Sequence, residues 1–252
     1  INPVPRKMIR EAVETVCADF EYGGGILVVI SVPRGAEIAK RTFNPRLGIE
    51  GGISVLGTSG IVVPMSESAL IASIRAEMSM LAAGHQYLIA TPGNYGETFT
   101  KEKMAVDLSS SLKCSNYVGE TLDMAVELGI KGLLFVAHVG KFIKVAGGIM
   151  NTHSRSADAR AELMAAFALR AGASRETACG ILDTITTDEA LELMEREKVR
   201  ERAMALAAER IRYYLQRRVG GAIRTEAIIF SSSFGYLAQT EGTDELLRLI
   251  GL

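Results

Sequence analysis

Two histidines, two lysines and a run of polar side chains in the middle of the chain have types and spacings that suit chemistry. His138 is followed by Lys141 and Lys144, and Gly147–Arg155 offers Asn151, Thr152, His153, Ser154 and Arg155 in succession. An imidazole titrates near neutral pH and can act as a base. Lysines three apart share a helix face. With Arg155 and Arg160 they would form a cationic patch for a substrate rich in carboxylates, which arginine pairs bidentately. His85 enters an apolar run and reads as structural. The three histidines lack short metal-ligand spacing, and Cys17, Cys114 and Cys179 form no CxxC pair. The residues therefore indicate no metal site on the protein.

A second concentration lies in Asn44–Ser66, where Gly48, Gly51, Gly52, Gly57 and Gly60 surround the short apolar segment Ile53–Leu56. Glycine at this density marks sharp turns or close approach to a ligand. The spacing from Gly52 to Gly57-Thr58-Ser59 nearly matches a phosphate-binding loop. Thr58, however, stands where that loop needs lysine, so an NTPase is rejected. No GxGxxG occurs, which leaves an ordinary NAD site unsupported.

These residues need elements to hold them. Pro3–Phe20 reads as a helix, and Ile26–Val32 as a strand buried on both faces. Glu67–Ala83 is a helix with the stripe Leu70, Ile74, Met78 and Leu81. His85–Thr91 reads as a strand, Asn116–Leu128 as a helix with Val118, Leu122 and Val126 inward, and Gly132–Ala137 as a strand leading into a helix. Ala157–Arg170 is the next helix. Thr186-Thr187-Asp188-Glu189 has capping-box spacing. Glu201–Arg218 is a helix with Met204, Ala208, Ile211 and Leu215 inward; its arginines read as a solvated face. Thr225–Ser231 is the last strand. The pattern predicts an α/β fold with a mostly parallel sheet. Four strands, ending at Leu56, Ala90, Ala137 and Phe230, run into small or polar residues, and ligands of open α/β sheets bind at such ends.

Composition narrows the partners. The 252 residues are 48% hydrophobic with a net charge of -1, so no overall field selects nucleic acid. No apolar run is long enough for a membrane span, and the scattered cysteines suit the cytoplasm. The chain opens on Ile1-Asn2-Pro3, and an upstream portion is expected to be missing.

Several strings are specific enough to carry a resemblance. They are Ile1–Arg6, Asn44–Ile49 with Gly51–Ser54, Gly57–Val62, Pro64–Ser66, Thr91–Glu97, Lys113–Asn116 and Gly147–Arg155. On these the chain resembles the CbiD family, the cobalt-precorrin-5B C(1)-methyltransferases of anaerobic cobalamin biosynthesis. It departs from the family at Ala137, where glycine is usual, and at Ser156–Arg160. It also lacks about a hundred upstream residues common in the family.

The resemblance implies S-adenosyl-L-methionine as methyl donor. The acceptor is a tetrapyrrole that brings cobalt as part of the substrate. It implies two domains, here 1–62 as a smaller α+β domain and 63–252 as a Rossmann-like α/β domain. On this reading Thr91, Gly93, Asn94, Gly96 and Glu97 would hold the donor, with Glu97 on its ribose. Asn44, Arg46, Thr58, Ser59, Lys141, Lys144, Asn151 and Arg155 would hold the acceptor, and His138 or His153 would serve as base. A homo-oligomer is compatible with this. The alternatives are a non-catalytic tetrapyrrole carrier and a Rossmann-like transferase using another nucleoside donor.

Overall fold

The run Gly132–His138 forms the central strand of a five-stranded sheet, and every residue from Gly132 to Ala137 is buried. The computed structural model describes residues 1–42, 44–57, 66–93 and 111–252. They divide into two compact units, Ile1–Ser73 and Ile74–Leu252.

In the second unit the strands are β1 (Tyr87–Thr91), β2 (Ser111–Lys113), β3 (Gly132–His138), β4 (Arg224–Ser231) and β5 (Gly235–Gln239), in the spatial order β2-β1-β3-β4-β5. β1, β2, β3 and β4 are parallel, and β5 returns antiparallel to β4. β3 and β4 pair from Gly132 opposite Arg224 to His138 opposite Phe230, so their carboxyl ends finish level. Strands covered on both faces need unbroken apolar sequence, which β3 supplies. One face buries Ile89, Leu134, Val136, Ile228 and Phe230 with Leu246. Leu246 comes from a C-terminal helix, Thr243–Ile250.

Helices complete the unit. Helix Glu67–Ala82 (α3) belongs to this unit from Ile74 onward and buries Ile74 and Met78. Val118–Glu127 (α4) buries Val118 and Leu122, but Val126 lies outward at 36% exposure. Ala125 takes the inward place instead. β3 runs into a single turn, Val139–Phe142 (α5), and then the 3-10 turn Ile143–Gly147.

The next helix, α6, is Arg160–Ala171, three residues later than the sequence pattern suggests. The carbonyl of Ala157 accepts a bond from the Lys144 ammonium, which holds that residue in the preceding loop. Two short helices follow, Arg175–Leu182 (α7) and Thr187–Arg196 (α8). The second has its Thr186–Glu189 capping box formed in both directions. Helix α9, Arg200–Val219, packs on β4 with Met204, Ala208, Ile211 and Leu215 buried. Its arginines are more than a solvated face. Arg218 grips Asp123 through two nitrogens, at 2.8 and 2.5 Å, and Arg212 reaches the buried Glu226 at 3.2 Å.

The first unit holds helix α1 (Pro3–Asp19), the short α2 (Gly35–Ala39) and a 3-10 turn, Asn44–Leu47. No residue of α1 is buried. Two expected strands are absent here. Ile26–Val32 is not a strand and is not buried; Leu27 is 88% exposed and Val29 75%. β-Branched side chains favour extended backbone, but a strand also needs a partner to pair with. Among the described residues this run has none. Ile53–Leu56 is likewise irregular. The Ser54 hydroxyl donates to Asn44 Oδ1 at 3.0 Å, and the Val55 carbonyl accepts from the Asn2 amide at 3.0 Å. Those bonds tie the segment to a turn and a helix start instead of a sheet. The glycines around it serve turns: Gly48 and Gly51 hold φ of 68° and 75°, where a side chain would be strained.

Among the described residues no helix is long and apolar enough to cross a membrane.

Candidate active site

The carboxyl ends of β1, β3 and β4 lie side by side, and most of the chemistry-bearing residues of the second unit gather there. At the end of β1, Thr91 is fully buried, and its hydroxyl has no hydrogen-bond partner among the described residues. A buried hydroxyl left unpaired is costly and uncommon. The Thr91 carbonyl accepts from Gly93 at 3.0 Å and from Cys114 at 3.2 Å, which ties the start of the β1 loop to the end of β2. Gly93 holds φ 102°, and a side chain there would begin 3.4 Å from Lys141 Nζ. The lysine after β3 therefore lies across the loop after β1. Burial lowers the Lys141 pKa, and attraction to the Cys114 thiolate form opposes it. Cys114 itself is buried, and that burial pushes its thiol up to about 12.

His138 ends β3. Its Nδ1 accepts the Gly140 amide at 3.0 Å and so caps α5. Its Nε2 faces the Ser232 amide, which donates at 3.3 Å from the turn after β4. The Phe230 ring meets it edge-on, centroids 5.5 Å apart. Burial lowers the pKa of the imidazole, and attraction to Asp188 opposes that shift. N–H donors at both nitrogens act in the same sense as burial, since they favour the neutral ring. Both influences push the ring toward its neutral form.

Lys144 has a different place. Its side chain is buried, and its ammonium donates to the carbonyls of Thr152 at 2.9 Å and Ala157 at 3.0 Å. It holds the loop that presents Asn151, His153 and Arg155. Within that loop Asn151 Oδ1 accepts the His153 amide, and His153 Nδ1 accepts the Arg155 amide, each at 3.1 Å. The side chains of His153 and Arg155 face solvent. Arg160, expected in the cationic patch, is paired with Asp158 at 2.8 and 3.0 Å.

Asn44 and Arg46 belong to the first unit, where the Asn44 amide oxygen is taken by Ser54. Thr58, Ser59, Asn94, Gly96 and Glu97 lie outside the described residues. Among the described residues no cluster of three or more histidine, cysteine and acidic side chains could hold a metal ion.

Sequence reasoning missed Asp188, Ser231 and Ser233. Ser231 Oγ donates to Asp188 Oδ1 at 2.8 Å and Ser233 Oγ to Oδ2 at 2.5 Å. The serines were legible as a strand-end loop and Asp188 as part of a capping box. Their meeting depends on packing between elements distant in sequence.

The fold and these strand-end residues define an α/β protein with a polar, partly buried site at the edge of a parallel sheet. Comparison with known proteins is more specific. The CbiD family profile matches residues 1–64, and that of the CbiD C-terminal domain matches residues 151–241. A protein of Ruminiclostridium cellulolyticum named cobalt-precorrin-5B C(1)-methyltransferase is 47% identical over 232 residues, 92% of this chain and 60% of that protein. Proteins of the same name from Alkaliphilus metalliredigens and Methanocaldococcus jannaschii are 42% and 40% identical. Those matches cover 99% and 92% of this chain, and 66% and 63% of the relatives. The chain belongs to the CbiD family, and it spans about 60 to 66% of the length of these relatives. No solved structure gives a significant match.

Proposed function

We propose that this chain takes part in the transfer of a methyl group from S-adenosyl-L-methionine to C-1 of cobalt-precorrin-5B. The product is cobalt-precorrin-6A, in cytoplasmic, anaerobic cobalamin biosynthesis. The observation that carries this reading is likeness over most of the chain, at 40 to 47% identity, to proteins bearing that activity as their name. On the same reading the chain has a smaller domain over 1–62, in which no strand forms among the described residues, and a Rossmann-like domain over 63–252.

The described residues fit a donor of this kind. The buried Thr91 hydroxyl, without a partner among the described residues, and the left-handed Gly93 offer a hydrogen-bonding group and a close backbone approach at one strand end. Thr91, Gly93, Asn94, Gly96 and Glu97 are the residues assigned to hold it. When bound, the donor supplies an electrophilic methyl on a sulfonium.

The protein's own part is to align the partners and exclude water. Lys141 and Arg155 would meet carboxylates of the tetrapyrrole, with Asn151 as a polar contact. Cobalt arrives within that substrate. Lys144 is assigned to hold the Asn151–Arg155 loop, because its ammonium is already given to two carbonyls. His138, kept neutral, is the base for a proton shed by the acceptor, with His153 as the second candidate.

The test is transfer of labelled methyl to cobalt-precorrin-5B, beside calorimetric titration with S-adenosylhomocysteine. Labelled product and donor binding are expected, and His138→Gln should lower kcat by about 10²-fold. Tetrapyrrole binding without donor binding would replace this reading with that of a carrier.

A further inference from the structure

One carboxylate links α8 to the turn after β4, and the function above does not use it. Asp188 is the second residue of α8. The helix start is already satisfied by the Thr186–Glu189 capping box, so Asp188 is not needed as a cap. Both its oxygens go instead to hydroxyls 43 and 45 residues further on, those of Ser231 and Ser233. Ser231 Oγ in turn accepts the amides of Ser233 at 3.1 Å and Phe234 at 3.2 Å. The turn is held at both ends, and between them the Ser232 amide faces His138 Nε2 at 3.3 Å.

The opposite side of the ring is as tightly framed. A side chain at Gly140 would begin 3.2 Å from His138 Nδ1 and 3.4 Å from Thr187 Oγ1, so the first residue of α8 borders the same corner. Gly140, Phe230, Ser232 and Thr187 are uncharged. Among the described residues Asp188 is a carboxylate that acts on the ring, and Lys141 lies three residues along the chain in α5.

We infer that Asp188 is a positioning residue for His138: by clamping the Ser231 and Ser233 hydroxyls it fixes the Ser232 amide against one ring nitrogen. The inference rests on the reading of His138 as base only for its consequence in catalysis. A neutral imidazole has a single lone pair, and the amides of Gly140 and Ser232 compete for it. The clamped turn therefore helps decide which nitrogen carries the proton, and with it which nitrogen can accept another. Releasing the turn weakens the claim of Ser232 on the lone pair relative to that of Gly140, so the balance of the ring proton shifts toward Nε2.

Nitrogen NMR of the imidazole in the free protein reads this directly, with the His138 signal assigned by its loss in His138→Gln. In Asp188→Ala and in the double variant Ser231→Ala/Ser233→Ala, the ring nitrogen shifts should move toward the Nε2–H tautomer. The double variant keeps the charge and removes the grip, and it also guards against Asp188→Ala failing to fold. Ring shifts that stay at wild-type values in the double variant overturn the clamp, whether or not Asp188→Ala moves them. In the methyl-transfer assay the double variant should lose on the order of 10- to 10²-fold in kcat with KM nearly unchanged. If the ring shifts move and kcat does not, the clamp stands and the reading of His138 as base fails.

Discussion

The runs Ile26–Val32 and Gly132–His138 are both seven residues long and almost wholly apolar, yet their surroundings are opposite. The second is hydrogen-bonded on both sides, between β1 and β4, and is buried to Ala137. The first is irregular and unpaired among the described residues, with Leu27 88% exposed. The same contrast holds for their units. The second unit has a core built around Phe135, Phe142, Phe230 and Leu134, whereas α1 of the first unit buries nothing. An apolar extended segment becomes a strand only when neighbours take up its backbone groups, and burial follows from that pairing. Contiguous apolar surface of this kind is unusual on a soluble monomer.

The largest test of this contrast is truncation of one apolar side chain in each run. Phe135→Ala should cost about 3–5 kcal/mol in denaturant unfolding, from lost burial and the cavity left behind. Leu27→Ala should change stability by no more than about 0.5 kcal/mol. A large cost at Leu27 would mean that the run is buried in solution, and the contrast would collapse.

The next test concerns a polar tie. Lys144→Met leaves the Thr152 and Ala157 carbonyls without their donor, at a cost of about 2 kcal/mol. Hydrogen exchange in the 151–157 loop should rise with it. In the first unit, Glu37→Gln breaks the exposed pair with Arg34 and should leave the melting temperature unchanged.

A smaller effect is expected at the start of α8. Thr186→Ala removes the hydroxyl that accepts the Glu189 amide and should cost about 1 kcal/mol in thermal unfolding.

The smallest effect is a pH slope belonging to the second unit. His138 has a folded-state pKa below 6.5, chiefly through burial. As pH falls below 6.5 toward that value, the unfolded chain binds a proton that the folded chain refuses, so stability declines. A melting series between pH 7 and pH 5 should show this decline in the wild type and a flatter line in His138→Gln. Equal slopes would show that the imidazole is not sheltered.

The elements legible in the sequence are those whose pattern reports their own burial. β3 is one, as an unbroken apolar run; α9 is another, with Met204, Ala208, Ile211 and Leu215 at helical spacing. Ile26–Val32 misled because its composition describes a strand while the pairing that makes one is non-local. β2 has three residues, and β5 follows β4 across a short turn; neither carries a pattern of its own. At the site, His138 and Lys141 stood out as polar residues after an apolar strand. The burial of Lys144 and the reach of Asp188 to Ser231 and Ser233 could not be read, because both arise from contacts across folded elements.

Cys114 has a consequence for the chemistry proposed at these strand ends. A thiolate is a soft and strong nucleophile, and a sulfonium is an alkylating agent that such a nucleophile can attack. With the thiol pushed up to about 12 by burial, the sheet edge carries sulfur in its unreactive form at neutral pH. On the proposed placement of the donor, an alkylating group bound there would have a protonated, fully buried thiol as its sulfur neighbour.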